Sequence, residues 1–167
     1  MIEIKIQKCD TRAITPTYAT LGSACFDLYA CLTNGNRIKG MDSKNKQYHI
    51  LVEDEEISIP PGIRVLVPTG VIFGIPEGYC LKIYNRSGIP YKNGVILGNA
   101  VGIVDDDYPE QTLVMLFNLS EEMMIVQHGN RIAQASIEKH EKVCFEEVFY
   151  NPANKTNRIS GLGSTGK

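Results

Sequence analysis

Apolar side chains recur in this chain at every second residue and hardly anywhere at helical spacing. Ile2, Ile4 and Ile6 alternate with Glu3, Lys5 and Gln7, and Ile57 and Ile59 repeat the pattern before Pro60, Pro61 and Gly62 stop it. Short apolar runs follow at 64–70, 71–75, 79–84, 113–118, 123–126, 131–137 and 143–148. Successive side chains of a strand point to opposite faces, so this period gives each run one face for a core and one for the outside. Pro68, Pro76 and Gly78 punctuate the runs. Proline withholds the amide a ladder needs, and glycine admits the backbone angles of tight turns. No segment longer than about ten residues keeps a 3.6-residue period. The expectation is an all-β fold of many short strands: a sandwich, jelly roll or barrel.

A length of 167 residues suits one domain with a proper core, and 43% apolar with 22% charged residues is a globular composition. No apolar run approaches the roughly 20 residues that span a bilayer, and the alternating N-terminus lacks the apolar core of a signal peptide. No membrane partner and a cytoplasmic location are therefore expected. A net charge of −2 argues against stable nucleic-acid binding, so any phosphate chemistry must rest on local arginines and backbone amides. Five cysteines without a C-x-x-C pair exclude a disulfide framework and a zinc site, and are expected as small buried hydrophobes. Two segments depart from the strand pattern. Residues 34–56 carry Lys39, Lys44 and Lys46 and then Glu53, Asp54, Glu55 and Glu56. They read as a polar insertion, a hairpin protruding from the core, either simply solvated or a surface for a protein partner. Residues 151–167 carry no strand pattern. The expected organisation is a core over 1–150 and a flexible arm over 151–167.

That arm ends in Arg158-Ile-Ser-Gly-Leu-Gly-Ser-Thr-Gly166. Glycines let successive amides converge on one anion, Ser164 and Thr165 add hydroxyls, and Arg158 adds a fork suited to phosphate. The segment is either an arm that closes over a phosphate chain or a frayed polar tail. Asp105-Asp-Asp-Tyr108 follows the run Asn99-Ala-Val-Gly-Ile-Val104. A carboxylate held at a strand end can polarise a water or collect a hard cation, although aspartates also favour plain turns. Asn85-Arg-Ser-Gly88 combines guanidinium, hydroxyl and a flexible amide, the makings of an anion site or an ordinary strand cap. Asp27 stands alone among apolar neighbours, and Gly129-Asn-Arg-Ile-Ala-Gln134 leads a turn into a strand bearing an amide donor. Individually these two are unremarkable surface polarity.

Together, and in this order, the five segments resemble the motifs of the homotrimeric all-β dUTP pyrophosphatase (dUTPase) family. The family patterns A-G-x-D-L, P-R-S-G, G-x-I-D-x-D-Y, G-x-R-I-A-Q and R-G-x-G-G-F-G-S-T-G meet Ala24-Cys-Phe-Asp-Leu28, Asn85-Arg-Ser-Gly88, Gly102-Ile-Val-Asp-Asp-Asp-Tyr108, Gly129-Asn-Arg-Ile-Ala-Gln134 and 158–166. The likeness spans nearly the whole chain except 34–56. It implies a jelly-roll-like fold and hydrolysis of dUTP at the α-phosphorus, giving dUMP and pyrophosphate with Mg²⁺. The product supplies dTTP synthesis and uracil stays out of DNA.

By the same resemblance, Asp105 activates the attacking water and Tyr108 packs on the deoxyribose, excluding a 2′-hydroxyl. Asn99 and the backbone of Gly102, Ile103 and Val104 read the uracil edge. Arg86, Ser87 and Gly88 clamp the phosphates, Gln134 meets the chain near the α-phosphate, and Asp27 holds Mg²⁺ through water. Arg158, Leu162, Gly163, Ser164 and Thr165 close over substrate, in a homotrimer whose sites are shared between chains. Four positions depart from the pattern: Cys25 replaces a glycine, Asn85 a proline, Glu110 a glycine and Leu162 a phenylalanine. The arm is also one residue shorter between Arg158 and Leu162, and Lys155 could stand in for Arg158. Two other readings are a dCTP deaminase of the same fold, which would release ammonia from dCTP, and a non-catalytic binding module. The stretch Ile103-Val-Asp105 lacks the glutamate base of the first, and the retention of all five motifs speaks against the second.

Overall fold

The computed structural model describes residues 2–153. Along them run β1 (Lys5–Lys8), β2 (Thr17–Tyr18), β3 (Phe26–Tyr29), β4 (Arg37–Met41), β5 (Gln47–Leu51), β6 (Glu56–Ile59), β7 (Arg64–Pro68) and β8 (Val71–Gly74). Then come β9 (Tyr79–Tyr84), the short helix α1 (Gly88–Asn93), β10 (Val95–Leu97), β11 (Gly102–Val104), β12 (Leu113–Asn118), β13 (Met124–Gln127) and β14 (Arg131–Lys139). Two five-stranded sheets, ordered β10-β12-β7-β4-β5 and β11-β9-β14-β3-β2, enclose the core, and the ribbons β1-β8 and β13-β6 complete it. All described pairings are antiparallel. The fold is all-β and jelly-roll-like.

The two-residue period is visible in what is buried. Val65 and Val67 of β7, Val114 and Leu116 of β12, Leu81 and Ile83 of β9 and Ala133 and Ala135 of β14 point into one continuous core. Each such aliphatic side chain larger than alanine contributes about 1.5–3 kcal/mol on full burial. Asn118 is the polar member of this interior. Its amide donates to the Ile59 and Glu122 carbonyls, both at 2.8 Å, and its oxygen accepts from the Ser120 amide at 3.0 Å. With all its groups paired, it fixes the end of β12 at little desolvation cost. Helix α1 ends at Gly94, whose φ of 64° and 3.0 Å approach of a hypothetical Cβ to Ser120 leave room only for glycine.

The segment 34–56 folds as the hairpin β4–β5, with five cross-strand pairs from Arg37↔Leu51 to Met41↔Gln47. It is joined to β7 through Gly40↔Val65 and Met41↔Arg64. Ile38 and Val52 belong to the core, so the segment is built into the sheet edge. Two expectations fail. Residues 143–148 form no strand: after the His140 amide donates to the Gly78 carbonyl, the chain runs on unpaired with any described strand. Val143, Phe145, Phe149 and Tyr150 are left in solvent. The cysteines are all free, but only Cys31 and Cys80 are buried, whereas Cys9 and Cys144 are exposed. Cys144 lies on the unpaired segment, and Cys9 on the loop after the outermost strand β1.

Candidate functional site

Cross-strand register sets the site. Asp27 on β3 pairs with Gln134 on β14, and Gln134 pairs in turn with Tyr84 on β9. Their side chains therefore share one face of the sheet. The Asp27 residue is only 7% exposed. Its carboxylate lies 2.8 Å from Arg86 Nε and 3.3 Å from Arg131 Nη1, so the buried charge is doubly paired. Arg86 also donates through Nη1 to the Arg131 carbonyl at 3.3 Å, and Gln134 Nε2 donates to the Asn85 carbonyl at 2.8 Å. Asp27, Arg86 and Gln134 border a cleft of about 550 Å³, completed by Ser23, Ala24, Cys25, Ser87 and Gly88. Ser87 opens α1 without using its hydroxyl as a cap, so that group stays available at the cleft. Burial pushes the Cys25 thiol up, away from a reactive thiolate. The Arg86 guanidinium, the Ser87 hydroxyl and the Gln134 carboxamide around the paired Asp27 make a compact receptor for a polyanion.

The segment between β10 and β11 stands next to it. Ala100 turns the chain at φ 61°, and Gly102 is buried. A Cβ on Gly102 would lie 3.1 Å from Ile83 Cβ and 3.4 Å from the Asn99 amide nitrogen, so the glycine lets Asn99 settle over β9. Ile103 is 62% exposed, an unusual place for a large apolar side chain at a strand centre. Beyond Val104 the turn 105–108 closes through the Tyr108 amide on the Asp105 carbonyl, and Asp106 Oδ2 accepts from the Gly78 amide at 3.2 Å. Asp105 is exposed.

The structure thus brings Asp27, Arg86, Ser87, Gly88 and Gln134 together, but Asp105 and Tyr108 elsewhere. The register Val104↔Leu81 sets Asp105 beside the start of β9, while Arg86 follows its end. Some six residues of extended chain separate them, roughly 20 Å. Arg158, Leu162, Gly163, Ser164 and Thr165 lie outside the described residues, as does Lys155. Among the described residues no group of three or more His, Cys, Asp or Glu could hold a metal. Arg131 and Asn85 are the participants that residue chemistry alone did not single out. Both sat within quoted motifs, but their bonds depend on which strands become neighbours.

On the same face, Glu138 gathers Lys82 Nζ at 2.6 Å, the Tyr84 hydroxyl and Ser136 Oγ at 3.0 Å. The Lys82 hydrogen bond, then those of Tyr84 and Ser136, hold its carboxyl down at about 2, and the same carboxylate raises the Tyr84 hydroxyl. This cluster ties β9 to β14 beside Gln134.

The family profile described as dUTPase matches residues 36–166. The deoxyuridine 5'-triphosphate nucleotidohydrolase of Bordetella avium is 34% identical over 167 residues, covering 99% of this chain and 97% of the relative. That of Caulobacter vibrioides is 39% identical over 151 residues, 90% of this chain and 84% of its own length. Among solved structures, a dUTPase of Staphylococcus bacteriophage 80alpha with dUPNHPP superposes over 100% of both chains with a TM-score of 0.73 at 17% identity. The dUTPase from Streptococcus mutans covers 85% of this chain and 98% of its own, with a TM-score of 0.64 at 21% identity. The solved structures confirm the fold, and the profile and the curated relatives show that this chain belongs to the dUTPase family.

Proposed function

We propose that this chain hydrolyses dUTP to dUMP and pyrophosphate by attack of water on the α-phosphorus, within nucleotide metabolism of the cytoplasm. The observation that carries the reading is the cleft in which Arg86, Ser87, Gly88 and Gln134 converge around a buried, arginine-paired Asp27. There Arg86 and the Ser87 hydroxyl hold the phosphate chain and Gln134 orients it near the reacting centre. Fixed donors in a partly dry cleft stabilise developing phosphate charge without reorganising. Asn99 and the backbone of 102–104 recognise uracil. A cytosine there leaves buried polar groups unpaired, which costs about 1–3 kcal/mol each. Tyr108 packs on the deoxyribose and leaves no room for a 2′-hydroxyl, and Asp105 takes the proton of the attacking water. The arm residues Arg158, Leu162, Gly163, Ser164 and Thr165 close over the phosphates.

Mg²⁺ fits this site as a hydrated ion carried on the triphosphate, because it keeps several waters and the described residues form no cage of direct ligands. Its chemistry is charge neutralisation across the phosphates. Asp27 is the residue that would meet its water shell, through lone pairs not taken by Arg86 and Arg131. The roughly 20 Å between Asp105 and Arg86 in one chain favours a site shared between chains, in a homotrimer. The solvent-exposed Phe145 and Phe149 favour the same assembly.

The test is pyrophosphate release from dUTP with Mg²⁺, beside UTP, dTTP and dCTP. Selective turnover of dUTP, reduced by at least about a hundredfold in Asp105→Asn, is expected for loss of a general base. Absent dUTP turnover, or ammonia released from dCTP, would overturn the reading.

A further inference from the structure

Beyond β11 the chain leaves the ladder. The last cross-strand pair is Val104↔Leu81, and the backbone next bonds to a neighbouring element at Thr112, whose amide donates to the Val71 carbonyl at 2.9 Å. In between, the turn closes on itself through the Tyr108 amide and the Asp105 carbonyl, a long bond of 3.3 Å. Among the described residues, a single hydrogen bond ties 105–110 to another element: Asp106 Oδ2 accepts the Gly78 amide at 3.2 Å. Gly78 lies in the turn before β9, at φ 80°, where the Tyr79 amide donates to the Pro76 carbonyl. That turn bond uses neither polar group of Gly78. Its carbonyl accepts the His140 amide at 3.0 Å, and its amide falls to Asp106. The bond is part-buried, where an unpaired amide is costly. Asp106 is half-buried while Asp105 and Asp107 are exposed, so the middle carboxylate of the three faces the protein and its neighbours face out. The family pattern G-x-I-D-x-D-Y leaves this position open, so the anchor belongs to this chain's own sequence.

We infer that Asp106 is a positioning residue: by holding the turn 105–108 against Gly78, it fixes where Asp105 and Tyr108 stand beyond the end of β11. This rests on the dUTPase reading given above for the roles of those two residues. The base segment 102–104, Asp105 and Tyr108 follow one another in one chain. The same chain therefore delivers all of them to one cleft, whichever chain owns that cleft. The β11–β9 ladder fixes the base segment but stops short of the turn, and the Asp106 bond carries the fixed geometry onward to Tyr108. Asp106 touches no substrate atom in this role. A loose turn lets the general base and the sugar-packing ring drift from the base segment they follow, and a displacement of about 1 Å already slows an oriented reaction.

The experiment uses the full chain and compares Asp106→Ala, which removes the acceptor, with Asp106→Asn, which keeps an acceptor of the same shape without the charge. Hydrogen exchange at the Gly78 and Tyr108 amides is read beside kcat and KM for dUTP and UTP, and beside inhibition by inorganic pyrophosphate. In Asp106→Ala, exchange at Gly78 should rise at least about tenfold, because no other described group accepts that amide. Exchange at Tyr108 should rise with it. The kcat for dUTP should fall about tenfold through misplacement of Asp105, and the preference for dUTP over UTP should shrink as Tyr108 loosens. Pyrophosphate, which meets only the phosphate cleft, should inhibit as before. Asp106→Asn should keep the protection of Gly78 and hold kcat within about threefold of wild type, since its amide oxygen still accepts. The inference is overturned if Asp106→Ala keeps wild-type exchange at Gly78, wild-type kcat or wild-type selectivity. Weakened inhibition by pyrophosphate in the same variant overturns it too, because the damage then reaches beyond the turn. It is equally overturned if Asp106→Asn loses kcat as fully as Asp106→Ala, since the charge and not the hydrogen bond then matters. A wild-type chain that turns over no dUTP overturns the dUTPase reading and the catalytic consequence with it. Exchange at Gly78 still reports whether the anchor exists, so the two failures are told apart.

Discussion

Asp27 and Glu138 show how differently one sheet face can treat a carboxylate. Asp27 is buried and held by two guanidiniums, whereas the Glu138 side chain is 38% exposed and collects an ammonium, a phenol and a hydroxyl. Lys82 does most to hold Glu138 at about 2 against an ordinary value of 4.5. A depressed carboxyl stabilises the fold fully above its unfolded pKa and loses that effect as pH falls through the folded one. The contribution of Glu138 is therefore complete above 4.5 and disappears by about 2. Glu138→Gln should melt below the wild type at pH 7, and the gap between the two melting temperatures should close progressively over that acid window. A gap that stays constant down to pH 2 would mean that the charge of Glu138 does not matter to β9–β14 cohesion. Because the Lys82 and Glu138 side chains are 34% and 38% exposed, salt should narrow the neutral-pH gap as well.

Gly40 decides how the β4–β5 hairpin is attached. A Cβ at this position would lie 2.5 Å from the Arg64 carbonyl oxygen and 3.0 Å from Val65 Cγ1. The first obstacle is backbone, so the strands themselves must part. Gly40→Ala should destabilise the chain by about 1–3 kcal/mol, as overpacking does, lowering Tm by roughly 2–4 °C per kcal/mol. Exchange of the β5 amides should rise with it, and an unchanged Tm would show that the hairpin contributes nothing to the sheet. This element also marks where sequence reading stops. Strands β7 and β9 were legible because alternation and Pro/Gly punctuation agree on both ends, and β12 because its apolar run marks it. Segment 34–56 was legible as polar, but its lysines and glutamates hid Ile38 and Val52, whose burial depends on β7 lying alongside. Residues 143–148 carry a strand pattern and no strand: they pair with none of the described strands. Within the cleft, Arg86, Ser87, Gly88, Gln134 and Asp27 could be read from chemistry and motif. The Arg131–Asp27 pair and the Asp106–Gly78 bond could not, because they follow from the register of β3 on β14 and of β11 on β9.

At the scale of the whole molecule, the proposed phosphate cleft and the proposed activating carboxylate, Asp105, lie at opposite ends of β9. A strand is stiff, so no side-chain motion closes a gap of roughly 20 Å within one chain. Either Asp105 serves another chain's cleft or it has no role in the reaction. Complementation separates the two. Asp105→Asn keeps an intact phosphate cleft, and Arg86→Ala keeps an intact carboxylate, so each alone should be inactive. In trimers assembled at random from equal amounts of both, a site formed between two neighbours takes its cleft from one chain and its carboxylate from the next. With one chance in two at each position, about a quarter of the sites in such a cyclic assembly regain both groups. Co-expressed and purified together, the mixture should therefore recover about a quarter of wild-type kcat per site, with wild-type KM, because each restored site is chemically whole. Sites contained within single chains would recover nothing, since every chain in the mixture lacks one of the two groups. Mass measurement of the same sample should give three times 18.5 kDa, and a monomer would dismiss the shared site before any kinetics were read.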